Sequence, residues 1–222
     1  MYPIIFIKQF PEYLVTIHAD GVVAINHWAN RPDGKGLPFL LEFDKTLISP
    51  KPREMYLLFP EDIPSVSSCF ALSSDGKLII HSGFWDTSLQ LTTLSNGQTF
   101  YTVSEHGDVI TCLDMGSDGK TIVTGSTDTS VRIWYDCGDD NKSKWNIAKK
   151  KNSSAPIRLK ETLIGHDDTV TSVSLSTDLG LIVSSSKDKT VMQVINVKNT
   201  LLKKSSIVHK ENICELYSIR IL

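Results

Sequence analysis

Two stretches of this chain carry the groups that hydrolytic chemistry uses. His106 is followed by Thr124, Ser126 and Asp128, and His166 by Ser184, Ser186 and Asp188 at the same offsets. A hydroxyl, an imidazole and a carboxylate in register can perform acyl transfer: the imidazole takes the hydroxyl proton and the carboxylate orients the ring. Recurrence argues for a different use. A reacting constellation occurs once per site, whereas a structural support recurs with the unit it supports. The sequence has no G-x-S-x-G elbow, no glycine loop to cradle phosphate and no His/Glu cluster at metal spacing. The chain therefore reads as a non-enzyme, with no catalytic residue, cofactor, metal or small-molecule substrate.

The four cysteines, Cys69, Cys112, Cys137 and Cys214, form no C-x-x-C pair and are too sparse for a disulfide scaffold. Cys69 and Cys112 lie in apolar stretches and read as small core residues. The sequons at Asn141 and Asn152 would matter only in a secreted protein. The opening residues lack a signal-peptide pattern, and apolar runs such as Pro3-Ile4-Ile5-Phe6-Ile7 fall far short of the roughly 20 residues that span a bilayer. A cytoplasmic protein is expected, peripheral on endomembranes at most. Its net charge of −2 gives no large positive field for nucleic acid.

The elements that must position these residues follow from an internal repeat. His166 and His209 are 43 residues apart, as are Ser73-Ser74-Asp75-Gly76-Lys77 and Gly116-Ser117-Asp118-Gly119-Lys120. Asp86, Asp128 and Asp188 are separated by 42 and 60, and His106 and His166 by 60, which is one period plus an insertion of 17. Within a unit, short β-branched runs alternate with turn residues, a strand signature. In the clearest unit the runs are 109–115, 120–125, 130–135 and 157–163. Asp118-Gly119 marks a tight hairpin, and Thr127-Asp128-Thr129 a second turn. The fold class is all-β, in four-stranded antiparallel units of about 43 residues.

Gly165-His166 before a first strand, and Ser126-x-Asp128-x-Ser130-Val131-Arg132-Ile133-Trp134 around a third, resemble a WD-repeat β-propeller blade. The resemblance implies a hydrogen-bonded set within a blade: His106, Thr124 or Ser126, Asp128 and Trp134, with His166, Ser184 or Ser186 and Asp188 in the next. Val194 stands where the second tryptophan is expected, Thr92 at that place in the preceding unit, and Ile63 where that unit's histidine would be. The set is thus complete in one unit, and the other blades are expected to lean more on apolar packing.

Three further stretches are similar to the C-terminal propeller of BEACH-domain proteins of the neurobeachin type. They are Val22-Val23-Ala24-Ile25-Asn26-His27-Trp28, Phe84-Trp85-Asp86-Thr87-Ser88, and Gly165-His166-Asp167-Asp168-Thr169-Val170 continuing to Asp178-Leu179-Gly180-Leu181-Ile182-Val183-Ser184. The resemblance covers about residues 14–197. It implies a protein-interaction scaffold in vesicle trafficking and membrane-protein sorting. The rival readings are a generic WD-repeat adaptor, such as a ubiquitin-ligase substrate receptor or an RNA-processing subunit, and a piece with no activity of its own.

The expected organisation is an irregular N-terminal blade region at 1–62, blades at 63–105, 106–165 and 166–208, and the first strand of a truncated blade at 209–222. About four blades in 222 residues is short of the seven usual in this family, which need about 300 at this period, so a partial ring is expected. An insertion at 137–156 interrupts the third blade. Residues 141–160 carry seven basic side chains and no acidic one. Lys149, Lys150 and Lys151, with Trp145 among them, are candidates for an anionic membrane or acidic-partner contact. Phe84, Trp85, His166 and Asp167 are candidates for contact with protein partners.

Overall fold

The computed structural model describes residues 4–9, 13–18, 22–30, 39–48, 66–73, 75–82, 87–136, 156–195 and 203–208. They form four four-stranded antiparallel sheets, each a meander in which chain order is spatial order. The first holds β1 (Ile4–Gln9), β2 (Tyr13–His18), β3 (Val23–Asn30) and β4 (Phe39–Ile48). A short 3-10 turn at Val66–Cys69 leads into the second: β5 (Phe70–Leu72), β6 (Leu78–Ser82), β7 (Ser88–Thr93) and β8 (Thr99–Ser104). The third holds β9 (Ile110–Met115), β10 (Thr121–Ser126), β11 (Val131–Asp136) and β12 (Ile157–Leu163). The fourth holds β13 (Val170–Ser176), β14 (Leu181–Ser186), β15 (Thr190–Ile195) and β16 (Lys203–Val208). The N-terminal sheet has the same meander as the others, and register shifts occur in all four sheets. Residues 209–222 and most of 137–156 lie outside the described residues, as do Phe84, Trp85, Trp145, Lys149, Lys150 and Lys151.

Hydrophobic clusters occupy three seams between successive sheets. Val15, Val23 and Ile25 of the first sheet meet Cys69, Phe70 and Ile79 of the second. Leu78, Ile80, Leu89 and Leu91 meet Ile110, Ile122 and Trp134. Val123, Val131 and Ile133 meet Val170, Ile182 and Val194. Successive strand residues point to opposite faces, so Ile122 enters the seam before its blade and its neighbour Val123 the seam after. Both faces of a middle strand are covered, and β10 is buried throughout. This is why such strands show no clean alternation of apolar and polar residues. The last strands, β8 and β12, are largely exposed.

Polar contacts tie the seams where first strands meet. Ser68 Oγ donates to the Thr111 carbonyl at 3.0 Å, Thr111 Oγ1 to the Val170 carbonyl, and the Leu175 amide to Asp114 Oδ2 at 2.8 Å. Two glycines are fixed by geometry. Gly119 takes φ 61° in the β9–β10 hairpin, a left-handed conformation that side chains resist. At Gly125 an added Cβ would lie 2.6 Å from Val170 Cγ1 and 2.7 Å from Cys112 Sγ, so the close approach of the third and fourth blades admits no side chain there.

Candidate functional site

The turn between β10 and β11 carries Asp128, whose carboxylate is the hub of a closed network. Asp128 Oδ1 accepts from the Ser130 amide at 2.9 Å and the Ser130 hydroxyl at 2.6 Å. Asp128 Oδ2 accepts from the Gly107 amide at 2.8 Å and faces His106 Nδ1 at 2.9 Å. His106 Nε2 lies 2.7 Å from Thr124 Oγ1, which also receives the Trp134 indole N–H at 2.9 Å. Since the carboxylate accepts only, Nδ1 carries the imidazole hydrogen, and Nε2 accepts from the threonine. The aspartate also holds Thr129 at φ 67°, the left-handed region, within a turn bonded from the Thr129 amide to the Ser126 carbonyl.

The fourth blade repeats this set without the indole. Asp188 Oδ2 faces His166 Nδ1 at 3.1 Å and accepts from the Asp167 amide at 2.9 Å; His166 Nε2 lies 2.9 Å from Ser184 Oγ. Thr190 takes the place of Ser130, giving its amide and hydroxyl to Asp188 Oδ1 at 2.8 and 2.6 Å. Of the two hydroxyls proposed from sequence in each blade, the histidine's partner is Thr124 in one and Ser184 in the other. Ser126 and Ser186 instead accept the Asp128 and Asp188 amides and donate to the Asp108 and Asp168 carbonyls. They brace the turn one step away from the imidazole. Asp167 is exposed and engages the set through its amide.

Sequence reasoning missed Ser130 and Thr190, although the Asp-x-Ser/Thr spacing is the signal for an aspartate bonded to the chain two residues on. It also missed His81. In the second blade, Thr92 pairs with Ile79 as Trp134 pairs with Ile122, and His81 takes the strand position of Thr124. His81 Nε2 lies 3.0 Å from Thr92 Oγ1, and its ring stacks on Phe70 with centroids 5.9 Å apart. The ring and the hydroxyl have exchanged strands. The packing expected to replace the tryptophan there thus includes a buried polar pair.

Electrostatics favour the neutral imidazole in the third blade. Burial lowers the His106 pKa, and the neighbouring Asp128 only partly opposes this. Burial alone would raise Asp128, but its Ser130, His106 and Gly107 donors outweigh it and hold the carboxyl at about 2. Burial likewise works against the charged form of Asp188, where Thr190, Asp167 and His166 donors prevail and keep it well below the usual carboxylate range. Cys69 and Cys112 are free and buried, and burial pushes their thiols up to about 11 and about 12, which suits packing and not nucleophilic chemistry. Among the described residues no group of three His, Cys, Asp or Glu side chains could hold a metal ion. No helix among them is long and apolar enough to cross a membrane.

Where the fourth blade lacks an indole, a cavity of about 240 Å³ opens between the third and fourth blades. Its walls are Val131 and residues 161–165 on one side and His166, Ser184, Met192 and Val194 on the other.

Comparison with known proteins places this geometry. The family model described as the neurobeachin beta propeller domain matches residues 4–214. The BEACH domain-containing protein lvsE of Dictyostelium discoideum is 31% identical over 183 residues, covering 82% of this chain and 8% of that protein. BEACH domain-containing protein B of Arabidopsis thaliana is 28% identical over 150 residues, covering 63% of this chain and 6% of that protein. The chain thus spans less than a tenth of the length of these relatives. Among solved structures, U3-55K superposes with a TM-score of 0.55 at 19% identity, over 91% of this chain and 50% of that one. The WD40 repeats of RRP9 superpose with a TM-score of 0.54 at 20% identity, over 89% and 48%. At those identities the superpositions speak to the fold, a WD40 propeller. With four meander blades and a match over nearly its whole length, the chain belongs to the neurobeachin-type β-propeller family found in BEACH-domain proteins.

Proposed function

We propose that this chain is a non-catalytic protein-interaction scaffold, the propeller of a BEACH-type protein, acting at cytoplasmic membranes in vesicle trafficking and membrane-protein sorting. One observation carries the non-catalytic part: among the described residues the histidine, hydroxyl and aspartate of each set are engaged by their own blade, and the arrangement occurs twice. The Thr124 hydroxyl, where a nucleophile would sit, is capped by the Trp134 indole. Ser184 stands in the same place in a second copy of the arrangement. What the blades then offer is exposed turns and edges, the surfaces propellers use for partners. The trafficking setting rests on the BEACH-protein resemblance.

Two measurements test the proposal. A fluorophosphonate probe should leave Ser184 unlabelled under conditions that label a serine hydrolase; stoichiometric labelling would reverse the non-catalytic reading. Affinity capture of the chain after in-cell crosslinking should recover coat, adaptor or membrane-cargo proteins. Recovery of ubiquitin-ligase or RNA-processing subunits in their place would favour the generic adaptor.

A further inference from the structure

We infer that the cavity between the third and fourth blades is a docking site for an indole, a tryptophan side chain presented by a partner protein. The inference rests on the scaffold reading and specifies the chemistry of one contact.

The molecule itself shows what such a site holds. In the preceding seam, Trp134 shares one buried cluster with Leu78, Ile80, Leu89 and Leu91 of the second blade and gives its N–H to Thr124 Oγ1 at 2.9 Å. In the next seam Val194 takes the tryptophan's register, pairing with Ile182 as Trp134 pairs with Ile122. Ser184 takes the threonine's place, with its hydroxyl bonded to His166 Nε2 at 2.9 Å. Donating its hydrogen to the imidazole, Ser184 Oγ keeps lone pairs, and among the described residues no ring N–H is directed at them as Trp134 is at Thr124. The seam therefore retains an acceptor and apolar walls from Val131, Leu163, Met192 and Val194, but not the ring.

Exposure and charge narrow the occupant. Ile164, 73% exposed, stands at the rim beside exposed Gly165, so the cavity is reached from the turn between β12 and β13. The volume is below that of most drug-sized pockets yet larger than engineered cavities of about 150 Å³ that admit benzene. That range suits one aromatic side chain. Glu161 is the carboxylate of the lining, which disfavours an acidic ligand.

The test titrates the full chain with N-acetyl-tryptophanamide, its 1-methylindole analogue and N-acetyl-phenylalaninamide, reading saturation-transfer signals from each probe. The indole should bind about tenfold more tightly than the methylated ring, the size of one hydrogen bond. Val194→Trp should abolish the binding and raise the melting temperature, because the chain then supplies its own ring. Ser184→Ala, which leaves the apolar walls intact, should erase the preference for indole over 1-methylindole. Equal binding of the three probes, indole binding that survives Val194→Trp, or a lower melting temperature in that variant would overturn the inference. The last result would mean that the seam has no room for a ring. Partner capture separates the two levels: partners held equally by wild type and Val194→Trp leave the scaffold standing and remove the docking site.

Discussion

Trp134 donates its indole N–H to Thr124 Oγ1 at 2.9 Å, and this contact is one end of a hydrogen-bond chain that crosses the third blade. At the other end the Asp128 carboxylate can only accept, so the imidazole carries its hydrogen on Nδ1, facing Asp128. His106 Nε2 is then the acceptor for the Thr124 hydroxyl, which keeps a lone pair for the indole. The chain runs from the seam packed by Trp134 to the turn held by Asp128. A buried network satisfied in this way fixes one arrangement; a broken one leaves a costly unpaired group.

Asp128→Ala should therefore be a stability mutation. It strands the His106 N–H and deprives the Gly107 amide and both Ser130 donors of their acceptor. A loss of about 2–4 kcal/mol in urea denaturation is expected, with partners bound normally below the melting temperature. Selective loss of one partner at unchanged stability would instead make Asp128 a contact residue. Trp134→Phe, which keeps most of the packing, should cost less.

Acid should weaken the fold in two steps. The His106 pKa lies below its unfolded value, so between the two the unfolded chain binds the extra proton. Its contribution is complete above about pH 6.5 and is lost as the pH falls toward the folded value. The carboxylates act lower. Asp128, held at about 2, contributes fully above about pH 4, and that contribution drains as the pH falls through its folded value; Asp188 adds loss in the same direction. Melting temperature measured from pH 8 to pH 3 should fall below 6.5 and more steeply below 4. In a His106→Gln variant the first step should shrink.

The sequence pattern made the blades legible because turn chemistry and hydrophobic runs repeat together. The β9–β10 hairpin at Asp118-Gly119 and the strand runs of the third unit are where residue type alone determines local structure. The cavity beside Val194 was not legible, although the missing tryptophan was. An absent ring tells that something is lost, but whether neighbours close the gap depends on packing across the seam. In the second blade His81 supplies a ring from the adjacent strand, and in the fourth that strand position holds Ser184. Choosing between Thr124 and Ser126 likewise needed side-chain direction, since both are buried hydroxyls.

The basic run at 141–160 gives a prediction that depends on charge alone. With seven basic side chains, each contributing about 1 kcal/mol near an anionic surface, the chain should bind liposomes containing phosphatidylserine at low salt and release at high salt. Replacing Lys149, Lys150 and Lys151 together with Ala should weaken sedimentation with those liposomes. Unchanged binding would assign the run to solvent.

Cys69 and Cys112 should resist alkylation in the folded chain. Both are buried, and burial holds both thiols protonated at neutral pH. Iodoacetamide followed by peptide mass spectrometry should find them unmodified under native conditions and fully modified in denaturant. Rapid native labelling at either position would show that a seam opens readily.

Gly125→Ala tests how closely the third and fourth blades must approach. The new methyl would lie 2.6 Å from Val170 Cγ1 and 2.7 Å from Cys112 Sγ, closer than atoms pack. Both neighbours are buried in the seam cluster, Val170 and Cys112 being 0% and 1% exposed. The contact with Val170 is relieved by moving β13 away from β10, which strains the Thr111 hydroxyl bond to the Val170 carbonyl. Overpacking of this kind costs about 1–3 kcal/mol, so a fall in melting temperature is expected together with faster hydrogen exchange at amides in β13. The same substitution should leave exchange in the β1–β4 sheet unaltered, because that sheet packs in a different seam. A uniform rise across all four sheets would instead mean that the blades unfold as one unit and that the seam has no separate stability.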